Sequence, residues 1–213
     1  MMDKYTKPDI NTAALITIDT QCDTLNGQPL EIPGTSAVLP NMKRLLDAFR
    51  AQSKPIIHIV RIYKRDGSNA DICRKAAIED GRQMLLENSG GCQIAAELFS
   101  ASDVTLDTPL LLSGGIQRLS DHEVIMYKPR WGAFYKTPLE DYLKDLDIST
   151  LVFSGCNYPN CPRTSMYEAS ERDYRTVLVT DAVSGLYEQG KKEMRNIGVE
   201  LLETDTLLNL LRK

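Results

Sequence analysis

The stretch "STLVFSGCNYPNCPRTSMYEASERDYRTVLVTD", residues 149–181, decides the fold of this chain. It opens with an apolar, β-rich run at 149–155, continues through a segment with a helical pattern at 161–173, and closes with a second apolar run at 175–181. A strand, a helix and a second strand in that order are typical of a parallel sheet covered by helices.

The rest of the chain repeats this alternation. Further β-rich apolar runs predict four more strands, at 13–19, 54–60, 123–128 and 198–204. Helical patterns lie between them, at about 38–49, 138–146, 188–197 and 205–212. The sequence therefore predicts a three-layer α/β/α fold with a six-stranded, mainly parallel sheet that is doubly wound, so that helices cover both faces.

One long stretch, from Tyr63 to Asp121, breaks the alternation. It is too long for a simple crossover and too polar and glycine-rich to form a second core. We expect short helices at about 70–80 and 92–99, with loops over one edge of the sheet. Long loops of this kind often form lids or binding walls. Because no repeat or linker divides the chain, we expect residues 1–213 to form a single domain.

Composition narrows the classes of function. A chain of 213 residues can bury a sizeable core without disulfides. The five cysteines are scattered and the N-terminus "MMDKYTKPDI" has no apolar segment, which predicts a reduced, cytoplasmic protein. No apolar run reaches the roughly 18 residues of a membrane helix. The net charge of −4 offers nucleic acid no basic surface, so a small molecule is the expected partner.

Three of the predicted strands are followed by chemically reactive side chains. The first ends at Asp19, the third at Lys128, and the fourth leads through a short turn to Cys161. Ligands of open parallel sheets bind beyond the carboxyl ends of the strands, so these groups can meet as a nucleophile with its activating partners. Taken singly, each has a structural explanation: a capping aspartate, a solvated lysine and a buried thiol.

The two cysteines after the fourth strand predict different chemistry. Pro162 favours the first turn of a helix, which places Cys161 at the N-cap, where the helix dipole stabilises a thiolate. We therefore predict a lowered pKa for Cys161, and a protonated wall or core thiol for Cys156. Their spacing is not that of a CxxC redox motif, and two cysteines without a nearby histidine are too few to bind zinc.

Three separated motifs resemble the isochorismatase-like cysteine hydrolases, a family that includes nicotinamidases, N-carbamoylsarcosine amidases and ureide hydrolases. "ALITIDTQCD" is similar to the family's first strand, with the catalytic aspartate at Asp19. "YKPRWGAFYKTPLEDYL" is similar to the segment that begins around the catalytic lysine, here Lys128. "VFSGCNYPNCPRTSMYEASERDYRTVLVTDAVSG" resembles the nucleophile segment, with Gly155 six residues before Cys161.

This resemblance implies a Cys–Asp–Lys triad of Cys161, Asp19 and Lys128. It also implies a cis peptide bond at Cys156–Asn157, which would aim the backbone N–H groups of Asn157 and Cys161 at a developing oxyanion. It further implies a homo-oligomer, dimer or tetramer, that requires no cofactor.

The chain departs from metal-binding relatives after its second strand. Nicotinamidases of that kind carry aspartates and histidines there, whereas this chain reads "RIYKRDGSNADICRK". The two histidines of the chain are His58, inside an apolar strand, and His122, in a loop. We interpret the first as a packed core residue and the second as a solvated one, and we expect no metal site.

The specificity residues are less readable. Four arginines lie in segments that approach the site and could bind a carboxylate or ureido group, although surface positions explain some of them equally well: Arg61, Arg65, Arg130 and Arg163. Three aromatic residues could form a wall of the site or belong to the core: Trp131, Phe134 and Tyr158.

The function that these observations predict is hydrolysis of a C–N bond in a small polar or anionic amide or ureide, through an acyl-enzyme. Three alternatives stay open. An isochorismatase-type ether hydrolase would need the aspartate but no thiol. A thiol redox protein would use Cys156 as the resolving partner of Cys161. A non-catalytic binding module could have the same fold.

Overall fold

A central seven-stranded sheet organises the computed structural model, which describes residues 3–99 and 104–212. Along the chain the strands are β1 Ala13–Ile18, β2 Ile56–Val60, β3 Ile116–Arg118, β4 Glu123–Tyr127, β5 Thr150–Gly155, β6 Arg175–Val183 and β7 Glu200–Leu202. Their order across the sheet is β3-β4-β2-β1-β5-β6-β7, and every pair is parallel except β3 with β4.

The six predicted strands are confirmed, with ends that move by a few residues, and the strand count is corrected from six to seven. The additional strand, β3, is an antiparallel edge strand of three residues inside the long stretch between β2 and β4. Its side chains are only partly buried, and a run this short has no readable periodicity. The α/β fold prediction otherwise holds.

The described residues form seven α-helices, of which six lie between strands and the last follows β7. They are α1 Thr35–Ala51, α2 Ile72–Glu79, α3 Thr108–Leu112, α4 Leu139–Asp145, α5 Cys161–Ser170, α6 Glu188–Asn196 and α7 Thr204–Leu211. The expected helix at 92–99 is instead a single 3₁₀ turn, Ala96–Leu98. The short helix α3 was not predicted. No helix within the described residues is long and apolar enough to span a bilayer.

Alternate residues of the strands supply the two faces of the sheet. One apolar cluster packs Leu15 of β1 against Met42 of α1 and Leu207 of α7. The other packs Ile16 of β1 against Leu139 of α4 and Met166 of α5. These two cores are the physical reason for the period-two pattern of the strands.

The direction of winding reverses at the centre of the sheet. From β1 the chain moves to β2 on one side, and later to β5 and β6 on the other. The carboxyl ends of β1 and β5 therefore border a crevice of the kind in which open α/β sheets bind ligands.

Candidate active site

Asp19, Lys128 and Cys161 meet at this crevice. The Lys128 ammonium nitrogen lies 2.8 Å from Asp19 Oδ2 and 3.2 Å from the Cys161 sulfur. It also donates to the carbonyl of Arg130 at 3.1 Å. The three ammonium protons thus have three partners, and the ammonium is held between a carboxylate and a thiol.

One oxygen of Asp19 remains available. All three residues are buried, with whole-residue exposures of 7%, 1% and 8% for Asp19, Lys128 and Cys161. Asp19 Oδ1 has no hydrogen-bond partner among the described residues, although it is fully buried. A buried carboxylate oxygen without a hydrogen-bond partner lowers the stability of the fold. Such an atom therefore calls for an explanation, such as a role in accepting a proton.

Backbone geometry delivers Asp19 into the crevice. Its φ of 47° lies in the left-handed region, which aspartate tolerates better than most residues. The Asp19 N–H donates to the carbonyl of Ile59, and its own carbonyl accepts from Gln21, both at 2.9 Å. These two bonds hold the residue in its unusual conformation as the chain leaves β1.

The turn that carries Cys161 requires a glycine. Gly155 at the end of β5 has a φ of 118°, and a Cβ atom there would lie 2.3 Å from the carbonyl oxygen of Ile18. The chain can therefore pass over the end of β1 only with no side chain at this position. The structure places Cys161 as the first residue of α5, with Asn160 at the N-cap, so the expected N-cap position of Cys161 is off by one.

The prediction of a lowered pKa for Cys161 is wrong. Burial and the neighbouring Asp19 carboxylate raise the pKa of this thiol, and together they outweigh the Lys128 ammonium. Burial is the larger cause, because it disfavours the charged thiolate, and the negative charge of Asp19 beside the sulfur adds to it. Burial alone would lower the pKa of Lys128, but Asp19 and Cys161 raise it, so the ammonium stays charged. The resting cluster is thiol, carboxylate and ammonium.

Cys156 has a different environment, as the sequence predicted. It is 1% exposed, and burial raises the pKa of its thiol to about 11 despite neighbouring hydroxyls of Thr35 and Thr24. Both Cys156 and Cys161 are free thiols in the structure.

The expected cis peptide bond is not found. The Cys156–Asn157 bond is trans, as are the other peptide bonds of the described residues, and the turn is made through the positive φ of Gly155 instead. The backbone N–H groups of Asn157 and Cys161 donate to no other group in the described part of the chain. Both residues line the same pocket, so two backbone N–H donors of its lining have no protein acceptor among the described residues.

A small pocket of about 40 Å³ is lined by Asp19, Lys128 and Cys161. Of the predicted specificity residues it is lined by Arg61, Arg130 and Trp131, together with Asn157. Sequence reasoning missed the polar lining residues Thr24 and Asn160, and also a group of three, namely Tyr63, Asp71 and Arg74. These three belong to the long stretch after β2, which has no periodic pattern from which a position at the pocket could be predicted.

Three predicted specificity residues lie outside the pocket lining. Tyr158 is fully buried and its hydroxyl donates to the Gly190 carbonyl at 2.9 Å. Phe134 packs in the core beside Tyr174. Arg163 is directed toward α6, where it forms an ion pair with Glu193 at 2.6 Å.

The fourth candidate arginine, Arg65, is exposed and also lies outside this pocket. His58, in contrast, is fully buried within β2, as the sequence predicted for a core histidine.

The segment after β2 does not fit a metal ion. The Asp71 carboxylate is occupied by Arg61, at 3.3 Å, and by the Tyr63 hydroxyl, at 2.7 Å. A guanidinium therefore fills the space beside the only carboxylate of this segment that faces the pocket. Within residues 3–99 and 104–212, no group of three or more His, Cys, Asp or Glu side chains is arranged to hold a metal.

Comparison with known proteins establishes the family. The model of the isochorismatase domain matches residues 13–206. The chain therefore belongs to the isochorismatase family, and the resemblance seen in the sequence is confirmed.

Two relatives match most of the chain. A protein of Arabidopsis thaliana named as a probable inactive nicotinamidase is 25% identical over 197 residues, which are 89% of this chain and 91% of the relative. The N-carbamoylsarcosine amidase of an Arthrobacter species is 26% identical over 207 residues, covering 94% of this chain and 72% of the enzyme.

Solved structures have the same fold. An isochorismatase family protein from Desulfovibrio vulgaris superposes with a TM-score of 0.79 at 29% identity, covering 95% of this chain and 99% of that one. The N-carbamoylsarcosine amidase of Thermoplasma acidophilum superposes with a TM-score of 0.70 at 20% identity, covering 91% and 97%.

Proposed function

We propose that this protein is a cysteine amidohydrolase that cleaves a C–N bond of a small polar or anionic amide or ureide. The observation that carries the proposal is the contact of Lys128 with both Asp19 and Cys161, at 2.8 and 3.2 Å, in a pocket where Asp19 Oδ1 has no partner. The N-carbamoylsarcosine amidase among the relatives supports the reaction class.

In the first half of the reaction the thiol becomes the nucleophile only as it attacks. Because the pKa of Cys161 is raised, its proton must leave during attack, and Asp19 is the adjacent base. Lys128 stays protonated and stabilises first the carboxylate and then the developing sulfur charge. The oxygen of the substrate carbonyl becomes an oxyanion that the N–H groups of Asn157 and Cys161 can bind.

In the second half the same proton is returned. Protonated Asp19 gives it to the leaving nitrogen, and the C–N bond breaks to leave a thioester on Cys161 and a free amine or ammonia. A water molecule then attacks the thioester while Asp19 takes its proton. Thiolate release and reprotonation restore the resting cluster.

Two of the alternatives are less well supported. A redox pair would need Cys156 as a second reactive thiol, yet the Lys128 ammonium contacts Cys161, whereas the groups that lower the pKa of Cys156 are neutral hydroxyls of Thr35, Thr24 and Ser184. An ether hydrolase would leave the Lys128–Cys161 contact without a use. A non-catalytic role has a specific observation in its favour, the relative named as probably inactive.

Ammonia release from a panel of amides, ureides and carbamoyl amino acids tests the proposal. We expect turnover of at least one short member, and none by Cys161→Ala. An ether hydrolase would release no ammonia and would tolerate Cys161→Ala, while a binding module would turn over no member.

We also propose, from the family resemblance, that the chain acts as a cytoplasmic homo-oligomer, a dimer or tetramer. The side chain of Ile72 on α2 is 93% exposed, which is unusual for a large apolar group. Light scattering of the purified protein is expected to give a mass of two or four chains, and a monomer at working concentration would contradict this.

A further inference from the structure

The active-site pocket has an excess of positive charge in a protein with a net charge of −4. Four cationic side chains but only two carboxylates line it. The two carboxylates are already paired, Asp19 with Lys128 at 2.8 Å and Asp71 with Arg61 at 3.3 Å. The remaining two cations are arginines.

These arginines, Arg74 and Arg130, lie next to Trp131, the first through its side chain and the second as its neighbour in the chain. The guanidinium carbon of Arg74 lies 5.5 Å from the ring centre, a cation–π contact. Arg130 precedes Trp131 in the chain and is exposed at the pocket mouth. Neither arginine pairs with a carboxylate among the described residues. We call Arg74, Arg130 and Trp131 the arginine wall.

Both guanidinium groups have N–H donors without a protein acceptor among the described residues. Arg74 makes one weak contact, from Nη1 to the sulfur of Met84 at 3.5 Å. Arg130 also uses Nη1 alone, toward the carbonyls of Pro129 at 2.6 Å and Asn69 at 3.5 Å. A guanidinium has five N–H donors, so most of those in the wall have no protein acceptor.

We infer that the arginine wall binds a carboxylate of the substrate, at the end opposite the scissile C–N bond. This inference rests on the proposed function and names the substrate class within it, a short amide or ureide that carries a free carboxylate. Guanidinium forks match a carboxylate in shape and charge, and the stack on Trp131 limits the rotamers of Arg74. Arg61 is a positioning residue, since its ion pair with Asp71 neutralises the carboxylate that would otherwise repel such a substrate.

Kinetics with a matched pair of amides tests the inference. Succinamate has one carboxylate and one amide, and succinamide replaces the carboxylate with a neutral amide. We expect wild-type kcat/KM to favour succinamate, and Arg74→Gln or Arg130→Gln to lower the succinamate-to-succinamide ratio by about tenfold or more, mainly through KM. Arg82→Gln removes an exposed arginine of the same long stretch and is expected to leave the ratio unchanged.

A binding measurement separates this inference from the proposed function. Thermal shift with succinate, succinamide and inorganic phosphate needs no turnover. We expect succinate to raise the Tm of the wild-type protein more than either other compound, and less in the Arg74→Gln protein. If no member of the amide and ureide panel is hydrolysed but succinate binds in this way, the proposed reaction fails and the arginine wall stands. Equal shifts with succinate and succinamide, a preference for phosphate, or an unchanged response in both arginine variants would overturn the inference.

Discussion

Asp19 and Glu123 are both buried carboxylates that pair with a basic side chain, yet their hydrogen-bond partners differ. Their side chains are 9% and 10% exposed. Glu123 accepts from Arg50 at 2.7 and 2.9 Å and from His58 at 2.8 Å, so both of its oxygens are occupied. Asp19 uses one oxygen for Lys128 and leaves the other without a partner.

The comparison distinguishes a buried carboxylate that stabilises the fold, Glu123, from one that is available for a reaction, Asp19. Burial lowers the pKa of His58, so its ring is neutral, with Nε2 donating to Glu123 and Nδ1 accepting from the Thr17 hydroxyl at 2.7 Å. The hydrogen bonds of that network link Thr17 of β1, His58 of β2 and Glu123 of β4. In the Asp19 cluster one carboxylate oxygen has no hydrogen-bond partner. Unsatisfied buried polar groups of this kind often occur at catalytic sites.

The largest expected effect separates the two clusters by turnover. Cys161→Ala, Asp19→Asn and Lys128→Ala should each lower kcat for ammonia release by about a thousandfold or more, and double variants should add little, because the three groups act as a unit. Glu123→Gln, the matched control, should keep kcat within a few-fold. Near-normal turnover by a folded Lys128→Ala protein would show that the triad is misassigned.

The second expected effect separates them by stability. Glu123→Ala leaves the buried His58 and the partly exposed Arg50 without their acceptor, and we expect it to lower the free energy of unfolding by about 3 kcal/mol, the lower end for a broken buried pair. Urea titration measures this. Glu188→Ala, which removes an exposed carboxylate paired with Lys191 at 2.7 Å, should change it by less than about 0.5 kcal/mol. Similar losses in both variants would mean that the Glu123 network contributes nothing special.

The third prediction concerns acid. Burial opposes ionisation of Glu123, but hydrogen bonds from Arg50 and His58 outweigh it and lower the pKa to about 2. A lowered folded-state pKa gives stability that is present above the unfolded value of about 4.5 and lost as the pH falls toward 2, on the order of 3 kcal/mol in all. The lowered pKa of His58 adds a loss that begins as the pH falls below about 6.5. Unfolding titrations from pH 7 to 3 should therefore be steeper for wild type than for Glu123→Gln, and parallel curves would contradict the account.

The fourth prediction splits thiol reactivity from turnover. In Asp19→Asn the Lys128 ammonium has only Cys161 as an acidic partner, so the pKa of that thiol should fall. We expect alkylation of the Cys161 peptide at pH 7 to be about tenfold faster than in wild type, although turnover is lost. The exposed Cys73 serves as an internal control with an unchanged rate. Slower labelling of Cys161 would show that Asp19 does not oppose the thiolate.

The smallest expected effect is that of chelation. Since Arg61 and Tyr63 occupy the carboxylate of Asp71, we expect kcat/KM to be unchanged after exhaustive dialysis against a chelator. A rate that falls and is restored by added zinc or iron would show that turnover depends on a bound metal.

Strand positions could be predicted from the sequence because the sheet is buried on both faces, which imposes apolar runs. Two of the three residues of the Asp19 cluster follow their strands directly, so the topology of parallel sheets brings them together. Arg163 could also have been excluded, since it lies two residues beyond Cys161 on α5 and therefore about 200° around the helix.

Other features depend on tertiary contacts that no local pattern encodes. Arg74 of α2 lines the pocket, yet α2 has no buried residue that would give it an apolar stripe. The raised pKa of Cys161 follows from its burial and from the neighbouring Asp19 carboxylate, whereas helix position alone predicts the opposite sign. Proximity of charges in space, which sequence spacing does not give, determines both.

The most direct test of the central claim is to trap the acyl-enzyme. An amide that is turned over in the ammonia assay would be mixed with the protein, quenched with acid and digested, and the peptide containing Cys161 would be weighed by mass spectrometry. We predict an added mass equal to the acyl group on Cys161 in wild type, and none on Cys156 or in the Cys161→Ala protein. Turnover without an adduct, together with activity in Cys161→Ala, would show that Cys161 is not the nucleophile.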